Sequence, residues 1–321
     1  MVGIGNHPCL VFASPRRNMK IVQSTIHARA SMTQPHNTPI SISDKAFARH
    51  LSDRENLQAI CDAGFTYLHF DRYRSTRERM SEAVIEEWAQ MLDETGIQVL
   101  DSHGCHGGGI ELWAEDPELR QQAHEHFIHR MEVTKRLGGN AVVYHVPCKC
   151  EYSDALRDRY LDGLARLESH ARELGLKIAI ENHYLPDIDR GIFPAAFARF
   201  DPDFLGFTLD PGHGLISGTL DWLVDSFLDR LTILHLNEND TTSDYHWNPF
   251  TPGGVANWDH IIAGIANSPY RKPMQLEVCW REDKHDSHHE FLAAAARAAH
   301  NISARVASCR AEEAVAGSAN T

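Results

Sequence analysis

The chain has no apolar run approaching the roughly 18 residues a membrane span needs, so an integral membrane protein of the helical kind is excluded. It lacks basic charge: 31 Lys and Arg stand against 44 Asp and Glu, a net of -13 over 321 residues. That balance argues against general electrostatic binding to nucleic acid. Its seven cysteines are an odd number with no small disulfide framework around them, which suggests a reducing, cytoplasmic setting. No Gly-x-Gly-x-x-Gly follows a first strand, so a dinucleotide-binding open sheet is disfavoured and no organic cofactor is expected. Acids are missing altogether from residues 1–43, the first being Asp44. Arg16, Arg17, Lys20 and Arg29 lie there among Ser, Pro and Asn without any helical or strand period. An organelle transit peptide and a plain disordered extension ahead of a start at Met19 or Met32 both fit, and so short a stretch favours the extension.

Histidine, by contrast, is abundant. Twenty-one in one chain direct attention to metal. With 42% hydrophobic and 23% charged residues the chain can bury a sizeable core. Between the ends a short β-branched run, a loop and an amphipathic helix recur. Ser52 and Glu55 form a capping box ahead of Leu57, Ile60 and Cys61, and Gly64 ends that helix. Val84, Ile85, Trp88, Met91 and Leu92 keep the spacing of a buried helical face. Strands are predicted at 39–43, 67–71, 97–103, 141–146, 177–183, 207–210, 231–236 and 274–279. Helices are predicted over 117–138 and near 161–174, 220–229, 257–267 and 286–308. Eight strand–helix units in about 270 residues imply a single (β/α)8 TIM barrel over residues 38–308. Residues 1–37 then form a disordered extension, and 309–321 a frayed C-terminal tail.

In such a barrel the C-terminal strand ends converge on the face that carries the chemistry. Polar residues follow the apolar runs in order: His103, His145, Glu181 with His183, Asp210 with His213, His235 and Glu277. A lone histidine at a strand end is most simply a satisfied polar residue. Six successive strands ending this way are a constellation. Buried carboxylates that face one another repel unless a cation or proton neutralises them. Three carboxylates and several imidazoles therefore suggest a divalent ion, with mixed donors suiting Mn, Co, Fe or Zn and Mg less well. That ion can polarise a carbonyl, and two flanking glutamates can move a proton between adjacent carbons.

These residues resemble the xylose isomerase-like TIM-barrel superfamily of sugar phosphate isomerases and epimerases, related to ketose 3-epimerases and endonuclease IV. The resemblance covers roughly residues 38–305. It rests on Ala179-Ile180-Glu181-Asn182-His183, Thr208-Leu209-Asp210-Pro211-Gly212-His213, Leu234-His235-Leu236-Asn237-Glu238-Asn239-Asp240 and Gln275-Leu276-Glu277. Similarity to the ketose 3-epimerases implies one metal on Glu181, Asp210, His235 and Glu277, with Glu181 and Glu277 as the acid/base pair and His213 on substrate oxygens. Those enzymes carry Asn-Asp-Arg after the metal-binding His, whereas Asn239-Asp240 here runs into Thr241. Similarity to endonuclease IV implies three zinc ions, with His103, His145, His213, Asp244 and His246 as further ligands.

The expected activity is isomerisation or epimerisation of a small sugar or cyclic polyol through an enediolate. The cofactor would be one divalent ion: Mn, Co, Fe or Mg, or Zn should the cluster form. Alternatives with the same residues are dehydration of a keto-polyol and multi-zinc phosphodiester cleavage. The charge of -13 favours the small polyol, as do loops after strands 1 to 3 with only Arg72, Arg74 and the His-Gly run 103–109. The resemblance is to a superfamily whose members often dimerise or tetramerise, which makes a homo-oligomer the expectation. Cys148-Lys149-Cys150 is read as two loop thiols, and Gly107-Gly108-Gly109 as a turn or part of a lid. No cation flanks Pro252-Gly253-Gly254 to mark a phosphorylated substrate. His285, His288 and His289 are read as a solvated face, and Trp113, Trp247 and Trp280 as loop packing or a sugar platform.

Overall fold

A computed structural model describes residues 38–73, 79–105 and 111–318. The expectations placed on residues 1–37, on Arg74 and on Gly107-Gly108-Gly109 lie outside them. Eight strands run parallel: β1 (Ile40–Ser43), β2 (Tyr67–Phe70), β3 (Gln98–His103), β4 (Ala141–His145), β5 (Lys177–Glu181), β6 (Leu205–Leu209), β7 (Leu231–Leu234) and β8 (Met274–Leu276). Neighbours follow chain order from β1 to β7, with β8 beside β1. A parallel bridge between Leu236, just past β7, and Leu276, the last residue of β8, joins the two, so the sheet closes on itself. Leu236 N–H donates to Gln275 O and Glu277 N–H to Leu236 O, each at 3.1 Å.

The helices alternate with the strands as the period requires: α1 (Asp53–Asp62), α2 (Glu82–Thr95), α3 (Pro117–Arg136), α4 (Asp154–Leu174), α5 (Pro186–Arg199), α6 (Pro211–Ser217), α7 (Leu220–Phe227), α8 (Trp258–Asn267) and α9 (His288–Ser318). The capping box before α1 is present, with Ser52 and Glu55 satisfying each other's backbone N–H. The short α6 is an addition to the eightfold pattern and was not foreseen. The last helix does not stop at 308. Arg310, set down as the start of a frayed tail, donates to Ile265 O, Ala266 O and Tyr270 O, and pins α9 across the end of α8. Beyond it residues 311–315 are exposed.

Strand alternation sorts the side chains into two cores. Ile40, Ile42, Leu68, Phe70, Val142, Tyr144, Ile178, Ile180, Phe207 and Leu209 point outward and pack under the helices. The inward set fills the lumen and is itself divided. On β4, β5 and β7, Ala141, Val143, Ala179 and Ile233 make a small apolar cluster of their own. On β1, β2, β3 and β8 the corresponding layer is Ser41, His69, Asp101 and Gln275, all fully buried.

Candidate metal centre

The site sits where the strands end. His103, His145 and Glu181 are the last residues of β3, β4 and β5, while His235 and Glu277 stand one residue past β7 and β8. Asp210 follows β6 and caps α6, accepting from His213 N–H at 2.9 Å. Two asparagines fix it. Asn237 Nδ2 donates to both carboxylate oxygens at 2.9 Å, and Asn182 bonds the Asp210 main chain on both sides, at 2.8 and 2.9 Å. Gly212 is glycine for a steric reason: a Cβ there would lie 2.0 Å from Asn237 Oδ1. Asp244 and His246 belong to the connection between β7 and α8.

Glu181, Asp210, His235 and Glu277 bring four buried donor atoms within 4.8 Å of one another. His235 Nδ1 lies 2.8 Å from Glu181 Oε1 and 3.4 Å from Glu277 Oε2. Two more groups flank these four. His103, His145 and Glu181 form one, and His213, Asp244 and His246 the other. In the first, His145 Nε2 is 2.7 Å from Glu181 Oε2 and 2.9 Å from His103 Nε2. In the second, Asp244 Oδ2 is 3.3 Å from His213 Nε2 and 3.1 Å from His246 Nε2.

Main-chain carbonyls orient three of these imidazoles. His103 Nδ1–H donates to Gly104 O, His213 Nδ1–H to Asn182 O and His246 Nδ1–H to Glu277 O, each at 2.9 Å. Each bond leaves the Nε2 lone pair turned into its group, which is the outer support that metal-binding histidines characteristically have. Gly104 can approach because it lacks a side chain; a Cβ would meet Val143 O and Phe127 at 2.4 Å. The donor set therefore fits a divalent ion: three carboxylates and an imidazole, buried together, with lone pairs converging.

The electrostatics show what the cluster demands. Burial works to raise Glu181, but the charges of His235 and His145 and their hydrogen bonds hold it well below the ordinary carboxylate range. Burial opposes ionisation of Glu277 too, and His235, Lys45 and His246 outweigh it. Burial lifts Asp210, and Glu181 and Glu277 add to the rise. His235 is raised to about 9, with burial opposing and Glu181 and Glu277 driving it up. Protons on imidazoles thus stand where positive charge is required.

All nine residues singled out from the sequence reach this face. Four that matter here were overlooked. Lys45 follows β1, and its Nζ lies 2.8 Å from Glu277 Oε1 and 3.4 Å from His246 Nε2. His69 on β2 donates to Asp101 on β3 at 2.6 Å, both fully buried. The fourth is Asn237, which clamps Asp210. A polar residue inside an otherwise apolar strand, as in Tyr67-Leu68-His69-Phe70, was the available signal.

One other expectation is corrected. His285 and His288 are not a solvated face, because both pack against Trp280, and His288 Nε2 donates to Ala46 O at 2.9 Å. Trp113 packs on Tyr144 and Tyr160. Cys148 and Cys150 are free thiols outside the donor groups found among the described residues. A cleft of about 640 Å³ opens beside Glu277, lined by Lys45, Phe47, Asp244, His246 and Trp280. The barrel floor holds one of about 630 Å³, bordered by Asn140, Lys177 and Lys272, but none of the donor groups found among the described residues lies there.

The family model described as xylose isomerase-like TIM barrel matches residues 57–299. The chain belongs to that family. A Sinorhizobium fredii protein, y4fM, is 26% identical to this xylose isomerase-like barrel over 252 residues, covering 70% of this chain and 80% of its own. An L-ribulose 3-epimerase superposes with a TM-score of 0.68 at 14% identity, over 87% of this chain and 98% of the other. The IolI protein, solved with a zinc atom, gives 0.68 at 15% identity over 83% and 98%. These superpositions establish a shared fold. Among the described residues no helix is long and apolar enough to cross a membrane.

Proposed function

We propose that this barrel isomerises or epimerises a small sugar or cyclic polyol, using one divalent ion held by Glu181, Asp210, His235 and Glu277. The observation that carries this reading is the buried four-donor group with three carboxylates, two of them glutamates that both approach His235 Nδ1. The bound ion would act as a Lewis acid on a substrate carbonyl or hydroxyl. Glu181 and Glu277 are held in the charged form, so either can accept the proton from the carbon beside a carbonyl. For isomerisation the same glutamate can return that proton to the neighbouring carbon. For epimerisation the other, having first taken a proton from solvent, delivers it to the opposite face while the base releases its own to solvent. Lys45 ties down one Glu277 oxygen and leaves the second toward His235. Glu181 is almost wholly enclosed, which keeps bulk water from a carbanion-like transition state. The same groups would expel a hydroxyl from a keto-polyol, so dehydration belongs in the same screen.

The neighbours support the sugar class: one is named an L-ribulose 3-epimerase. Ketoses and inososes, screened with the metal-loaded protein for isomerisation, epimerisation and loss of water, provide the test. Turnover of none of them would sink this reading.

A second reading has its own support. The three carbonyl-fixed imidazoles give both flanking groups the form of further ligand sets. Filled with zinc, they would make a multi-metal phosphodiesterase. Against it stands Lys45, whose ammonium lies 3.4 Å from His246 Nε2 and would repel an ion in the Asp244 group. Nicking of a plasmid carrying abasic sites would favour this alternative.

A further inference from the structure

Three of the imidazoles on this face are oriented by main-chain carbonyls, and His235 is not among them. Its Nδ1 faces Glu181 and Glu277, while its Nε2 is buried without a hydrogen-bond partner. The ring that meets it is His69, edge-on at 4.6 Å between centroids and 71° between planes. His69 has the complementary need. Its Nδ1–H is committed to Asp101 Oδ1 at 2.6 Å, so its Nε2 carries a lone pair, also buried and also without a partner. His69, His235 and Glu277 together place donor atoms within 4.8 Å, but His69 does not join Glu181 and Asp210 in the four-donor group.

We infer that Asp101 and His69 are positioning residues for the metal ligand His235. Asp101 fixes His69 with its proton on Nδ1. When an ion takes His235 Nδ1, the bare Nε2 of His69 is the acceptor for the Nε2–H of His235, a bond that the two buried atoms do not make in the structure as it stands. His235 then presents Nδ1, with its lone pair, to the ion. A side-chain pair from β2 and β3 does for His235 what carbonyls do for His103, His213 and His246. This role for Asp101 and His69 rests on the reading that the four-donor group binds an ion.

Two substitutions separate orientation from mere packing. In His69→Asn the amide nitrogen takes the place of Nδ1 and keeps Asp101 satisfied, but the acceptor is gone. In His69→Gln the side-chain oxygen reaches the place of Nε2 and keeps the acceptor. Affinity for Co²⁺ would be measured on the full chain by competition with a chromophoric chelator, alongside the Co²⁺ visible spectrum and apo-protein thermal unfolding. His69→Asn should bind Co²⁺ roughly 10 to 100-fold more weakly, with a shifted spectrum and near-wild-type apo unfolding. His69→Gln should stay within about threefold of wild type, and His69→Asn/Asp101→Asn should be no worse than His69→Asn alone. Wild-type affinity and spectrum in His69→Asn would overturn the assignment. So would the loss of a whole ion per chain at saturation, which would make His69 a ligand. Wild-type protein that took up no ion would remove the underlying reading, and this assignment with it.

Discussion

The two halves of the barrel lumen solve the same problem differently. Under the strand ends of β4, β5 and β7 the layer is Ala141, Val143, Ala179 and Ile233, while under β1, β2, β3 and β8 it is Ser41, His69, Asp101 and Gln275. Both layers are closed to water. The apolar half gives the site a rigid floor at no electrostatic cost. The polar half must satisfy its own buried groups, as Ser41 does with Gln275 and His69 with Asp101. A buried polar pair is weak evidence for stability, so its retention here points to a task beside the metal centre. The contrast teaches where support for a ligand comes from: main-chain carbonyls for His103, His213 and His246, and side chains of the polar layer for His235.

The largest effect is expected at the rim shared by both halves. Glu277→Gln and Glu181→Gln should each lower turnover of the substrate found by screening by about a thousandfold or more, with unfolding temperatures near wild type. A Glu277 variant that kept most of its activity would contradict its role. Next comes the polar layer. Asp101→Ala strands His69 and should cost about 3 kcal/mol in urea unfolding, whereas His69→Leu/Asp101→Leu makes both halves apolar and should recover most of that. Equal losses in the two variants would break the comparison between halves.

A buried carboxylate outside the donor groups sharpens it further. Asp189 accepts from His183 N–H and the Thr219 hydroxyl, and burial lifts it from 3.8 to about 7. A raised carboxyl stabilises the fold through its tighter proton, so that stability is full below pH 3.8 and is lost as pH rises toward about 7. Relative to Asp189→Asn, the wild type should therefore lose up to about 1.4 kcal/mol per pH unit across that window and none above it. Parallel stability curves for the two proteins would contradict this. The smallest effect belongs to the apolar layer, where Ile233→Val should cost about 1 kcal/mol in urea unfolding with no change in metal affinity.

Much of this was legible in the sequence. The period of strands and helices yields the barrel, and the rule that barrel chemistry sits at C-terminal strand ends finds His103, His145, Glu181, Asp210, His235 and Glu277. Asp244 and His246 came from resemblance, because a loop has no period to read. Lys45, His69 and Asp101 escaped for two reasons. The series of strand ends was taken up only at β3, which skipped Lys45 after β1. His69 and Asp101 lie one layer below the rim, where only the inward alternation of β2 and the irregular register between β2 and β3 decide what they meet. The persistence of α9 past 308 depends on Arg310 finding carbonyls 40 to 45 positions away in the chain, which no local pattern announces.

Elemental analysis of the protein, purified without added metal or chelator, beside Glu277→Gln prepared in parallel, tests the centre most directly. About one Mn, Co, Fe or Mg ion per wild-type chain, lost or sharply depleted in the variant, is the predicted result. Two to three zinc ions per chain would contradict the single-ion site and move phosphodiester substrates to the front. A protein that stayed empty after reconstitution would contradict a metal centre altogether.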